Sequence, residues 1–242
     1  MAKAKKEAVT DSVANPTEAD ELIDEAIALE PETSAPESST GDYLLKYRNI
    51  IGGGLVVGLL TLVGWFLWTG HLEEKNKEGL EQMSQAVQFF ELDSTDKALK
   101  GTSQYLGFVQ LVEDYSGTKA GNLSRFYLGR CYMKKEKYAE ALEAFEAFDK
   151  SDNMLAAMAY GSMGIAHEEL KSFEDAAKAY KKAAEIKSNN QTTPHYLFQA
   201  ARVYEYAEDK KAALELYKRI EREYPQSEEA RGIERFIAKL ED

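Results

Sequence analysis

The sequence predicts an all-α chain, a single N-terminal transmembrane helix followed by a short solenoid of helical hairpins. Three observations carry that expectation. The 22 residues from Asn49 to Gly70, "NIIGGGLVVGLLTLVGWFLWTG", hold no charged side chain, although charged residues make up 30% of the sequence. Downstream, three segments align with one another at separations of 35 and 37 residues. From His71 onward there is no run of alternating strand-type residues, and proline falls only at Pro194 and Pro225, so helical periodicity dominates.

The chain begins with an acidic tail. Residues 1–45 contribute three lysines (Lys3, Lys5, Lys6) against eleven acidic side chains, a large share of the formal charge of -12. Segments such as "PETSAPESSTGD" hold too little contiguous apolar surface to offset the entropy of ordering, so most of this tail is expected to be disordered and cytoplasmic. Within it, "NPTEADELIDEAIALE" places Leu22, Ile23, Ala26, Ile27 and Leu29 on one face of a short amphipathic helix between Pro16 and Pro31. Either that helix docks on a partner or it forms transiently without a role, since three turns are marginal alone. The charge balance excludes nucleic acid as a partner class, because no basic stripe is available to displace counterions.

Residues 46–70 read as the membrane helix. At 1.5 Å per residue the uncharged stretch is roughly 33 Å long, which matches a hydrocarbon core of about 30 Å. Trp65 and Trp68 stand near one end, and Tyr43, Tyr47 and Arg48 flank the other, as expected where amphipathic side chains meet headgroups. The start near residue 50 and the lack of a small-x-small end argue against a cleaved signal. Lys46 and Arg48 precede the span closely, while Lys75 and Lys77 follow it beside Glu73 and Glu74, a balance that leans toward a cytoplasmic N-terminus. Gly54 and Gly58 form a G-x-x-x-G spacing, a candidate face for packing against another membrane helix, or simply ordinary composition for such a helix.

Residues 122–227 carry the repeats. "NLSRFYLGRCYMKKEKYAEALEAFEAF", "AMAYGSMGIAHEELKSFEDAAKAYKKA" and "PHYLFQAARVYEYAEDKKAALELYKRI" bring Leu128-Gly129, Met163-Gly164 and Ala200-Ala201 into register. Tyr132, His167 and Tyr204 also coincide, as do Ala141, Ala176 and Ala213, and Phe145, Tyr180 and Tyr217. This period lies close to that of tetratricopeptide repeats. The small residues let two helices approach and the aromatic residues fill the space between hairpins. One hairpin cannot bury its own apolar face, whereas three stacked ones can. Thr192 or Thr193 before Pro194 is expected to start the third unit, with Pro225 at its end.

The flanks extend the pattern. "FVQLVEDYSGT" matches "YKRIEREYPQS" through Phe108, Leu111 and Tyr115, so residues 71–121 are expected to hold a linker helix continuing from the membrane and a degenerate first repeat, its two helices interrupted by "LDSTD". Residues 228–242, with Ile233, Phe236, Ile237 and Leu240, read as an amphipathic capping helix.

Together, "KYRNIIGGGLVVGLLTLVGWFLW", "YSGTKAGNLSRFYLGRCYMKKEKYAEALEAFEAF" and the two later hairpins resemble the bacterial single-span tetratricopeptide proteins related to the ancillary Sec-translocon subunit, in the form found in Bacteroidetes-type bacteria. The resemblance implies an inner-membrane anchor, a cytoplasmic N-terminus and a periplasmic repeat domain. It also implies association with Sec translocon subunits and a membrane-tethered periplasmic chaperone of the prolyl-isomerase type, in support of secreted client proteins. The 45-residue acidic extension departs from that pattern.

Catalytic chemistry finds no foothold in the sequence. His71, His167 and His195 lack metal-ligand spacing, "HEEL" lacks the second histidine of a zinc-protease motif, and His167 falls at the register position of Tyr132 and Tyr204. Cys131 stands alone and reads as a small buried residue. No cofactor, metal or catalytic group is expected. The expected activity is helix or peptide recognition by the first helix of each repeat, which nominates Phe126, Arg130 and Met133; Met158, Ile165 and Glu168; and Phe198, Arg202 and Glu205 as a protein-binding groove, though several of them could instead pack inside the superhelix. The other reading is a structural scaffold for cell-wall or outer-membrane assembly.

Overall fold

The structure, a computed structural model, describes residues 40–241; the acidic segment as far as residue 39, including the amphipathic stretch between Pro16 and Pro31, lies outside them. The described residues fall into two units, 40–61 and 62–241.

Helix α1 runs from Thr40 to Glu91. It begins six residues ahead of the span expected at 46, because no proline and only Gly41 in its first turn oppose helix in "TGDYLLKYR". In the first unit Ile50, Leu55, Val56 and Leu60 are all exposed, and in the second so are Trp65, Phe66, Leu67 and Trp68. A window of 18 residues in this helix has a mean hydropathy of 2.2 and no buried residue. By length and composition the helix is sufficient to cross a membrane.

The second unit is a stack of antiparallel helix pairs. Helices α2 (Thr95–Lys100) and α3 (Phe108–Asp114) follow α1, and three hairpins come next: α4 (Lys119–Lys134) with α5 (Tyr138–Ala147), α6 (Asn153–Glu169) with α7 (Phe173–Ile186), and α8 (Thr192–Tyr206) with α9 (Lys210–Glu223). Helix α10 (Glu234–Glu241) ends the chain.

One turn geometry recurs four times. Asp93, Glu136, Lys171 and Glu208 adopt left-handed backbone, with φ of 60°, 59°, 59° and 61°. The next amide in each case reaches back to close the preceding helix: Ser94 to Phe89 at 2.8 Å, Lys137 to Tyr132 at 2.9 Å, Ser172 to His167 at 2.8 Å and Asp209 to Tyr204 at 2.9 Å. This is the Schellman closure of a helix C-terminus. At a constant offset after each turn stands a fully buried alanine, Ala98, Ala141, Ala176 or Ala213. At a constant offset before it stands Ala86, Gly129, Gly164 or Ala201. A Cβ added to Gly129 would lie 2.7 Å from the Phe145 ring, and one added to Gly164 would lie 2.6 Å from the Tyr180 ring. The small residues therefore set how closely each pair packs.

The same register defines the degenerate first repeat and revises its expected form. "LDSTD" makes the hairpin turn, as Asp93 shows, but the helix after it is broken. Ala98 stands 43 residues before Ala141, whereas Phe108 stands 37 before Phe145, so the second helix carries six additional residues and splits into α2 and α3. Gly101, at φ 78°, ends α2, and a Cβ on Gly107 would lie 2.3 Å from the Leu99 carbonyl oxygen. Thr102 closes the loop by donating its amide to the Tyr105 carbonyl at 2.8 Å. Beyond the insertion Phe108 and Leu111 return to the core beside Ala86, Phe90 and Leu99.

The core spans pair boundaries. One cluster joins α1, α2 and α3 to Cys131 of α4; a second joins Phe126, Phe145 and Phe148 to Ala159 and Met163 of α6; a third runs from Tyr180 through α8 and α9 to Ile233 and Ile237. Each pair completes its burial on its neighbour, the physical basis of a solenoid.

Helix α8 starts at Thr192, as the sequence predicts, and Asn189 holds that start: its Oδ1 accepts from the amides of Gln191 at 2.9 Å and Thr192 at 2.7 Å. Thr193 is buried and accepts from the Asn189 amide at 2.9 Å. One local expectation changes. The expected capping helix over 228–242 begins only at Glu234; the residues before it form turns that include Gly232 at φ 73°.

Candidate protein-binding site

The first helices of the three hairpins contribute side chains to one pocket of about 350 Å³, lined by Arg130 of α4, Met158, Gly161, Ile165 and Glu168 of α6, Tyr180 of α7, and His195, Tyr196 and Gln199 of α8. Four of the nine nominated groove residues, Arg130, Met158, Ile165 and Glu168, meet there. The pocket exists because the middle hairpin departs from its neighbours. Where the flanking hairpins carry Phe126 and Phe198, the middle one carries Gly161. A Cβ on Gly161 would lie 2.5 Å from Tyr196 Cε1, so only glycine leaves room for that ring.

The polar groups of the pocket are unequally engaged. Glu168 accepts a hydrogen bond from the Tyr180 hydroxyl at 3.1 Å and faces Arg202 Nη2 at 3.9 Å. Burial, and then the Glu168 carboxylate, push the Tyr180 phenol well above its ordinary range. Arg202 also donates to Gln199 Oε1 at 2.9 Å. Arg130 differs: its guanidinium lies 5.7 Å from the centre of the Phe90 ring and 6.0 Å from that of Phe126, within cation–π range. Among the described residues no carboxylate or carbonyl pairs with it. Met158 and Ile165 are exposed at 37% and 46%, one wall of the opening, and Met154, one turn before Met158, is 72% exposed.

The remaining nominees lie elsewhere. Phe126 is 3% exposed and belongs to the core, so it offers a partner almost no surface. Its ring packs edge-on against Tyr127 and Phe145. Met133 packs against the same cluster. Phe198 is taken up by Tyr217 and Phe236 at ring distances of 5.6 and 5.3 Å. Glu205 accepts from Tyr217 at 2.7 Å and from Lys239 of α10 at 2.7 Å. Burial raises the Glu205 carboxyl, but the bonds from Lys239 and Tyr217 outweigh it and hold the group below the usual carboxylate range. Helix α10 thus covers the end of the groove expected on the third repeat. Gly54 and Gly58 of α1 have open space where a Cβ would stand.

Gly161, Tyr196, His195 and Gln199 escaped the sequence reading. The signal was present in the register: glycine replaces phenylalanine at 161, and Tyr196 stands where Ser124 and Ala159 are small. A larger cleft of about 830 Å³ lies between the start of α4 and the α5–α6 connection, but Thr118, Asn122 and Asp152 in it are committed to the fold. Thr118 caps Gly121, Asp152 caps Met154 and Leu155, and Asn122 bonds both the amide and the carbonyl of Asp149.

A helical-pair solenoid with an open pocket on its first helices defines a protein–protein interaction module. The chain belongs to the tetratricopeptide repeat-like domain family, whose description matches residues 42–166. Two further tetratricopeptide repeat descriptions match residues 157–190 and 196–227. This is a family of non-catalytic adaptor and scaffolding domains. Among solved structures the chain is similar to a "MamA RS-1 ArsTM double mutant", 20% identical, with a TM-score of 0.50 over 80% of this chain and 96% of that one, a likeness of fold. No curated protein matches the sequence.

Proposed function

We propose that this protein is a membrane-anchored adaptor of the bacterial inner membrane, with its N-terminus cytoplasmic and its repeats in the periplasm, where it associates with Sec translocon subunits and a membrane-tethered prolyl-isomerase-type chaperone and assists secreted or membrane protein export. The observation that carries the binding role is the pocket in which Arg130 of α4 and Met158, Ile165 and Glu168 of α6 meet His195 and Tyr196 of α8. Support for the anchor is the exposed apolar stretch of α1, long and apolar enough to cross a lipid bilayer. Gly54 and Gly58 offer a surface on which a helix of the translocon could approach closely. The Sec and chaperone partners rest on the sequence resemblance.

Co-purification of the full chain in mild detergent tests the reading: the expected outcome is recovery of the Sec channel and a periplasmic chaperone. Recovery of cell-wall or outer-membrane assembly factors without any Sec component would replace it with the scaffold reading. Topology is checked separately by protease treatment of spheroplasts. A repeat domain digested without rupture of the inner membrane agrees with the orientation; one digested only after rupture overturns it.

A further inference from the structure

We propose that the pocket on α6 recognises a linear segment of a partner protein that carries an internal acidic side chain flanked by aliphatic ones, with the carboxylate seated on Arg130. The inference rests on the reading of this pocket as a binding site and adds the chemistry of what enters it.

The argument begins with charge. In a chain of formal charge -12, several cations on the repeats are spent internally. Lys134 and Lys135 pair with Asp93 and Asp96, Arg219 with Glu223, and Lys239 with Glu205. Arg202 faces Glu168. Arg130 lines the pocket with no such partner among the described residues, and its guanidinium lies 5.7 Å from the Phe90 ring centre and 6.0 Å from that of Phe126. A guanidinium restrained in this way has already lost much of its side-chain freedom, so a carboxylate gains its bond at a smaller entropic cost. The pocket's own acid does not compete, because Glu168 is occupied by the Tyr180 hydroxyl and lies against Arg202.

Apolar contacts fix the rest of the ligand. Met154, Met158 and Ile165 are exposed along one face of α6, with Gly161 opening the turn between Met158 and Ile165. This stripe is about 16 Å long at the rise of an α-helix. A ligand that follows it spans several residues, and the carboxylate is assigned to a side chain within that segment, which the free-acid peptides below test against a chain end. Methionine and isoleucine favour aliphatic neighbours and tolerate variation in their shape, which suits a module that engages more than one sequence.

The test uses the full chain in detergent and a library of N-acetylated, C-amidated fluorescent heptapeptides. Each has a central glutamate flanked by varied Ala, Leu, Val, Phe or Lys and is paired with a glutamine twin. The expected result is binding of the Leu- and Val-flanked glutamate peptides, weakened roughly 10- to 100-fold in the glutamine twins, the range for one hydrogen-bonded charge. Arg130→Gln should abolish the difference between twins, Arg130→Lys should restore part of it, and Ile165→Glu should weaken both. Circular dichroism checks the fold of each variant, and the peptide twins test the inference on the unaltered protein if a variant fails to fold.

Equal binding of the twins, lost on Ile165→Glu, overturns the carboxylate while leaving the pocket as the binding site. Binding of free-acid glutamine peptides in preference to amidated glutamate ones overturns the side-chain assignment. Binding indifferent to every pocket substitution, or absent throughout the library, overturns the inference and the pocket reading together, while the co-purification outcome still reports on the membrane partners.

Discussion

Glu168 accepts a hydrogen bond from the Tyr180 hydroxyl, and the relationship is repeated one hairpin later between Glu205 and Tyr217. The same two register positions are Met133 and Phe145 in the hairpin before. A polar tie and an apolar contact thus hold the same place in successive units. Tyr180→Phe should cost about 1.5 kcal/mol, the lower end for a hydrogen bond to a charged group, and Tyr217→Phe should cost somewhat more, because Glu205 also fastens Lys239 of helix α10. Urea unfolding of the full chain in detergent measures both, and an equal or stabilising effect of Tyr217→Phe would contradict the role given to Glu205.

The close approach at Gly129 leaves no space for a methyl group. Gly129→Ala gains helix propensity of up to about 1 kcal/mol but forces the Phe145 ring aside, an overpacking cost of about 1–3 kcal/mol. A net loss of stability is expected. The corresponding change at exposed Gly64, which has open space at its Cβ position, should lack that penalty.

Lys171 holds left-handed backbone without being glycine. Left-handed conformation costs an L-residue about 1–2 kcal/mol, partly offset by the greater freedom glycine loses on folding. Lys171→Gly should therefore raise stability by roughly 0.5–1 kcal/mol. Gly117, also left-handed, should give the opposite sign on substitution by alanine, and the two unfolding midpoints together check the account.

Stability should fall at both extremes of pH, for opposite reasons. The Glu205 carboxyl is held below its ordinary value of 4.5, so its contribution is present above that value and is lost as pH drops through the folded one. Tyr180 and Tyr217 are raised above 10.0 by burial and by the neighbouring carboxylates, so their contribution is present below 10.0 and is lost as pH climbs through the folded values. Unfolding midpoints across pH should show both limbs, with the acid limb shallower in Glu205→Gln.

Cys131 is fully buried and burial pushes its thiol up to about 12, which leaves essentially no thiolate at neutral pH. A thiol reagent should label it only as fast as the second unit opens. Rapid labelling of the folded chain would refute its place in the core.

What the sequence determined by itself was the periodic part of this protein. The apolar length of α1 and the register of small and aromatic positions are one-dimensional quantities, fixed by spacing, and they gave the helical pairs and the repeat class. The break between α2 and α3 was legible only in part, since Phe108 could be matched to Tyr217 without revealing that Ala98 obeys a different offset. Which groove residues face a partner was decided by tertiary structure. Phe126, Gly161 and Phe198 share one register position, yet the first is core, the second opens a pocket and the third is taken by α10. Burial depends on the neighbouring helix and on whether a further element covers the end of the stack. For the same reason Arg130 and Arg202 look equivalent in sequence, and only packing places Arg202 against Glu168 and leaves the Arg130 guanidinium without a counter-charge among the described residues.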